Sequence, residues 1–124
     1  MDTLAAQLSD LALSIMNDTL TPKVNYIDAS IHAQYYGDYD FIDLNSFCYK
    51  ILPYSYSSEV EAIASAIQQT LNSSILSSHY YGHELNRSRG LSIYFPYQYY
   101  DNYYDNTNFA QDTFWDEMLS YLGF

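Results

Sequence analysis

Basic residues are scarce. Lys and Arg supply 4 of 124 residues, against 15 Asp plus Glu, for a formal net charge of −11. No basic surface is available to displace counterions from phosphates, so nucleic acid is excluded as a partner class. Anionic membranes are disfavoured for the same reason. A cationic substrate, a metal ion or a basic partner stays compatible. A single cysteine, Cys48, excludes an internal disulfide. No apolar run is long enough to span a bilayer, and the start lacks the basic-then-apolar pattern of a signal peptide. There is also no Gly-rich phosphate loop, Ser nucleophile elbow or paired-Cys motif.

What is abundant is apolar and aromatic. Hydrophobic residues make up 48%, with 16 Tyr, 6 Phe and 1 Trp. That is the composition of a globular chain, and the length suits one domain, residues 1–124, rather than two. Richness in Tyr, Ser and Asn with little Lys fits an exported parent protein.

The most strand-like run is Gly90-Leu91-Ser92-Ile93-Tyr94-Phe95-Pro96. Alternation puts Leu91, Ile93 and Phe95 on one face and Ser92 and Tyr94 on the other, so cover is expected on both sides. Ahead of it, four helices are expected. The first spans 3–19 on Leu4, Leu8, Leu11, Ile15 and Met16, capped by Asp2 or Thr3. The second starts at Thr21-Pro22, with Thr21 as cap, buries Val24, Ile27, Ile31 and Tyr35, and stops near Gly37. The short link makes these two expected antiparallel neighbours. Residues 38–44 read as a loop leading to a third helix, capped by Asp43, burying Leu44, Phe47, Cys48, Ile51 and Leu52, and ended by Pro53. Ser58 and Glu61 read as a capping box opening a fourth helix to about Leu76, with Val60, Ile63, Ala64, Ile67, Leu71 and Ile75 inward. A second strand is expected at Ser77–Gly82, forming a hairpin with the first. After Pro96 comes a Tyr/Asp/Asn-rich stretch to Asn108, read as an aromatic loop. Asp112-Thr113 then opens a last helix with Phe114, Met118 and Tyr121 beside Trp115, Leu119 and Leu122; Gly123 ends it. The fold class expected is α+β: about five helices packed on a short sheet or hairpin.

Residues that could carry chemistry have ordinary alternatives. Cys48 sits mid-helix between apolar neighbours, where a free cysteine is usually core and not a nucleophile. His79 and His83 are four apart, but HYYGH reads as extended and holds a Gly, so they need not converge; His32 would join them only through the tertiary fold. Asp38, Asp40 and Asp43 are candidate calcium ligands, although their spacing departs from an EF-hand loop and caps are the default role. Asp101 and Asp105 form a similar pair. Arg87 and Arg89 could hold a carboxylate or phosphate, or pair with acidic side chains. Tyr97, Tyr99, Tyr100, Tyr103 and Tyr104 are candidates for a carbohydrate- or peptide-binding platform, or for packing on the last helix.

Three blocks together resemble the C-terminal part of clostripain-family cysteine peptidases, a branch of the caspase-like peptidases. They are Tyr39-Asp40-Phe41-Ile42-Asp43-Leu44 with Phe47, then Gly90 to Pro96, then Phe109-Ala110 with Thr113, Trp115, Leu119 and Tyr121. Their order and spacing carry the resemblance over about the last two-thirds of the chain. It implies a parent endopeptidase that cuts after basic residues, with a His–Cys dyad in a caspase-like α/β domain. The motifs that carry that dyad are absent here, and Cys48 stands where the family has a small core residue. The implied function is a non-catalytic structural or regulatory C-terminal portion, with no cofactor in this chain and calcium possible in the parent. Its implied partner is the catalytic domain of the same parent, or a second copy of itself. The alternative is a free-standing protein- or ligand-binding module using residues 97–108. A third, hydrolase activity in this chain, would need Cys48 beside His32, His79 or His83.

Overall fold

The computed structural model describes residues 3–36, 38–75, 92–97 and 113–124. Among them the order is α1 (Thr3–Asn17), α2 (Lys23–His32), β1 (Tyr35–Tyr36), β2 (Asp38–Asp43), α3 (Leu44–Tyr54), α4 (Ser58–Ile75), β3 (Ser92–Tyr94) and α5 (Trp115–Leu122). Five helices thus pack with a three-stranded antiparallel sheet, ordered β1-β2-β3. The fold is α+β.

Helical periodicity decides what is buried on α1, α3 and α4. Leu8, Leu11, Ala12 and Ile15 face inward from α1; Leu44, Phe47, Cys48 and Ile51 from α3; Val60, Ala64, Ile67 and Leu71 from α4. Leu4, Met16, Leu52 and Ile63 flank this core, partly buried. The cap expected from Asp2 or Thr3 and the inward place of Ile75 fall outside the described side chains. α4 packs against both α1 and α3, α1 also meets α5, and α2 lies on α3 and α5. The expected side-by-side pairing of α1 with α2 therefore does not lead the packing: α2 lies chiefly on α3, and α1 on α4 and α5.

Helix boundaries follow local hydrogen bonding. The Asp43 carboxylate accepts from the Ser46 backbone N–H at 2.8 Å, capping α3 as expected. Pro53 lies inside the last turn of α3, which runs one residue past it. The cap of α4 is Ser57, one residue ahead of the expected Ser58: its hydroxyl accepts from Val60 N–H at 3.3 Å, and its carbonyl from Glu61 N–H at 3.1 Å. Ser57 wins because its own N–H is fixed on the Ser55 hydroxyl at 3.0 Å. At the end of α5, Gly123 adopts φ 110°, a left-handed conformation suited to glycine. Gly123 N–H then donates to Ser120 C=O and Phe124 N–H to Leu119 C=O, both at 3.1 Å, closing the helix in a Schellman arrangement.

Further expectations are corrected. Residues 38–43 are a strand, not a loop, and they supply the partner of β3. Phe41 stands opposite Tyr94, Ile42 opposite Ile93 and Asp43 opposite Ser92. α2 stops at His32 rather than near residue 37, because the chain turns into β1, whose Tyr35 pairs with Ile42. And α2 buries Tyr26, Ala29 and Ser30, leaving Val24 and Ile31 about half exposed at 54% and 50%. Tyr26 fixes that side of α2 inward, its hydroxyl bonded to the Asp18 carboxylate and lying beside the Ser55 hydroxyl. Thr21 does not cap α2 either; its hydroxyl accepts from Tyr56 N–H at 2.8 Å. The strand expected at Ser77–Gly82 lies outside the described residues.

Two-sided cover of β3 holds: Ile93 and Tyr94 are buried, as are Phe95 and Pro96 beyond it. Phe95 enters an aromatic cluster. Its ring lies 5.2 Å from Phe47, 6.4 Å from Trp115 and 5.7 Å from Phe124. Phe47 and Trp115 meet edge-on at 6.1 Å. Such tilted and edge-to-face pairs match the positive ring edge to a negative face. The Trp115 indole N–H donates to Tyr94 C=O at 2.8 Å, so the ring that fills the core also satisfies a strand carbonyl.

Candidate functional site

β2 is the natural place to begin, because it carries both the acidic candidates and one of the resemblance blocks. The Asp40 carboxylate accepts from Tyr97 N–H at 2.7 Å, and its backbone carbonyl accepts from Phe95 N–H at 2.8 Å. Asp40 thereby fixes the exit of β3 from the sheet. Asp43 is fully buried, with its carboxylate on Ser46 N–H and its own N–H on Gln34 C=O at 2.7 Å. Ser46 closes the junction, its hydroxyl accepting from Gln34 N–H at 3.0 Å. Residues three apart on a strand point to opposite faces, so Asp40 and Asp43 do not converge. The side chain of Asp38 lies outside the described set. Among the described residues, no group of three or more His, Cys, Asp or Glu is placed to hold a metal ion.

Cys48 is fully buried in the core face of α3. Burial, with Asp43 nearby adding a smaller push, drives its thiol well above the ordinary range and disfavours the thiolate a nucleophile needs. The native protein is expected to resist iodoacetamide, alkylating only at the rate at which it unfolds; this is checked by mass spectrometry across a urea series. Rapid modification of the folded chain would contradict the placement.

His32 is exposed on the last turn of α2. Its Nδ1 lies 2.8 Å from Asp28 C=O and 3.3 Å from the Tyr54 hydroxyl, and the two rings stack with centroids 6.0 Å apart. His79, His83, Arg87, Arg89, Asp101 and Asp105 lie outside the described residues, as do Tyr99, Tyr100, Tyr103 and Tyr104. Of the tyrosine platform only Tyr97 is described: its backbone is anchored by Asp40, and its residue surface is half exposed.

Two further features stand apart from these candidate residues. The first is a buried polar cluster joining the α1–α2 link to the α3–α4 link. The Tyr26 hydroxyl donates to the Asp18 carboxylate and lies 3.1 Å from the Ser55 hydroxyl. The other Asp18 oxygen accepts from Leu20 N–H at 2.9 Å and Thr21 N–H at 3.2 Å. Burial pulls the Asp18 carboxyl upward, but hydrogen bonds from Thr21, Tyr26 and Leu20 outweigh it and hold the group below its ordinary value. Tyr26 is pushed up to about 12 by burial first and by its bond to Asp18 second. A single Asp just after an apolar helix gives little warning of this, since the partners lie 8 and 37 positions ahead. The cluster can hold two links together.

The second is an apolar outer surface at α2. Leu20, Val24 and Ile31 are at least half exposed, and so is Tyr56, whose backbone is bonded to Thr21. Lys23, on the flank of α2, places its ammonium 4.1 Å from the centre of the Tyr121 ring, a cation–π contact joining α2 to α5. No helix among the described residues is long and apolar enough to cross a membrane. Comparison with protein-family models, curated proteins and solved structures finds no match to this chain.

Proposed function

We propose that this chain is a non-catalytic, structural or regulatory C-terminal portion of a clostripain-like cysteine endopeptidase whose parent cuts after basic residues. The observation that carries the reading is where the three resembling blocks lie. Phe47 from the first, Phe95 from the second and Trp115 from the third meet in one aromatic cluster. The first and second blocks also pair as β2 and β3. Three blocks that converge on one buried cluster, with Cys48 buried in the same core, support a scaffold role.

A scaffold portion of a larger enzyme needs a docking face. The outer side of α2, with Val24 and Ile31 exposed beside Leu20, suits that role. A net charge of −11 opposes pairing of two copies, which favours a different partner over self-association. The test joins genetics and binding. The reading frame upstream of Met1 is expected to encode a strand-end histidine and a strand-end cysteine. That upstream polypeptide, co-expressed with this chain, is expected to co-purify with it. Val24→Glu together with Ile31→Glu is expected to weaken the complex about tenfold or more in a titration. The thermal midpoint of the isolated variant should change little, because both side chains are already half in water. A frame without the dyad, or a complex indifferent to both substitutions, overturns the reading.

A second reading, a binding module using Tyr97, Tyr99, Tyr100, Tyr103 and Tyr104, is favoured by the exposed, backbone-anchored Tyr97. It requires that Tyr97→Ala lower the affinity for an oligosaccharide or peptide without altering stability.

A further inference from the structure

We draw no further inference here: the strongest candidate, the apolar outer face of α2 formed by Val24 and Ile31 beside Leu20, belongs to the docking surface already proposed, and nothing in the structure shows what else would cover it.

Discussion

Trp115→Ala is expected to destabilise the protein by about 4 kcal/mol, the scale for emptying a fully buried aromatic site. The ring is fully buried and is a shared neighbour of Phe47 and Phe95. Its removal opens a cavity where β3, α3 and α5 meet, and leaves Tyr94 C=O without its indole donor. A domain of this size has about 5–15 kcal/mol of total stability, so this loss is a large part of it. Trp115→Phe separates the two contributions. It keeps most of the apolar contact and loses the hydrogen bond, for an expected cost of about 1–2 kcal/mol. Urea denaturation followed by far-UV circular dichroism measures both, since either change removes the only tryptophan. Equal costs for the two variants would mean that the ring contributes no packing, contrary to its placement.

The second large effect is at Asp18. Asp18→Ala removes the acceptor for Tyr26 O–H, Leu20 N–H and Thr21 N–H at a site only 8% exposed. Buried donors left without an acceptor make this cost about 3 kcal/mol. Tyr26→Phe should cost less, about 1–2 kcal/mol, because the backbone bonds to Asp18 survive. The pH dependence follows from the directions of the shifts. The Asp18 carboxyl is held below its ordinary value of 3.8, so its contribution is present above that value and is lost as pH falls through the folded one. The stability gap between wild type and Asp18→Asn should therefore be widest near neutrality and should narrow in acid. For Tyr26 the sign is opposite. Its pKa rises from 10 to about 12, so its contribution is complete below 10 and disappears as pH climbs through 12. Chemical denaturation across pH 2 to 11, with Trp115 fluorescence as the readout, checks the acid limb and the onset of the alkaline one. A gap unchanged down to pH 2 would show that Asp18 carries no depressed pKa.

Locally encoded features were legible before any coordinates. The inward faces of α1, α3 and α4 follow an apolar spacing that any isolated helix would display. Asp43 and Gly123 act within four residues of themselves, one through a carboxylate on a helix N-terminus and the other through a left-handed φ. The core placement of Cys48 likewise follows from its neighbours Phe47 and Ile51 on one helix face. The Ser58-for-Ser57 slip shows the limit of such reading. Only Ser58 has an acidic residue three positions on, Glu61, yet Ser57 is the cap, and that choice rests on the Ser55 hydroxyl holding Ser57.

Composition, helix periodicity and two caps are what the sequence by itself determined: an acidic α+β chain with a buried thiol and a strand that runs into Pro96. Tertiary structure alone decided that residues 38–43 form the partner of that strand, which side of α2 is covered, and that Asp18 ties two links together. The physical reason is range. A helix turn closes between residues four apart, whereas strand pairing, the choice between two apolar faces and a buried hydrogen-bond cluster depend on groups from distant parts of the chain.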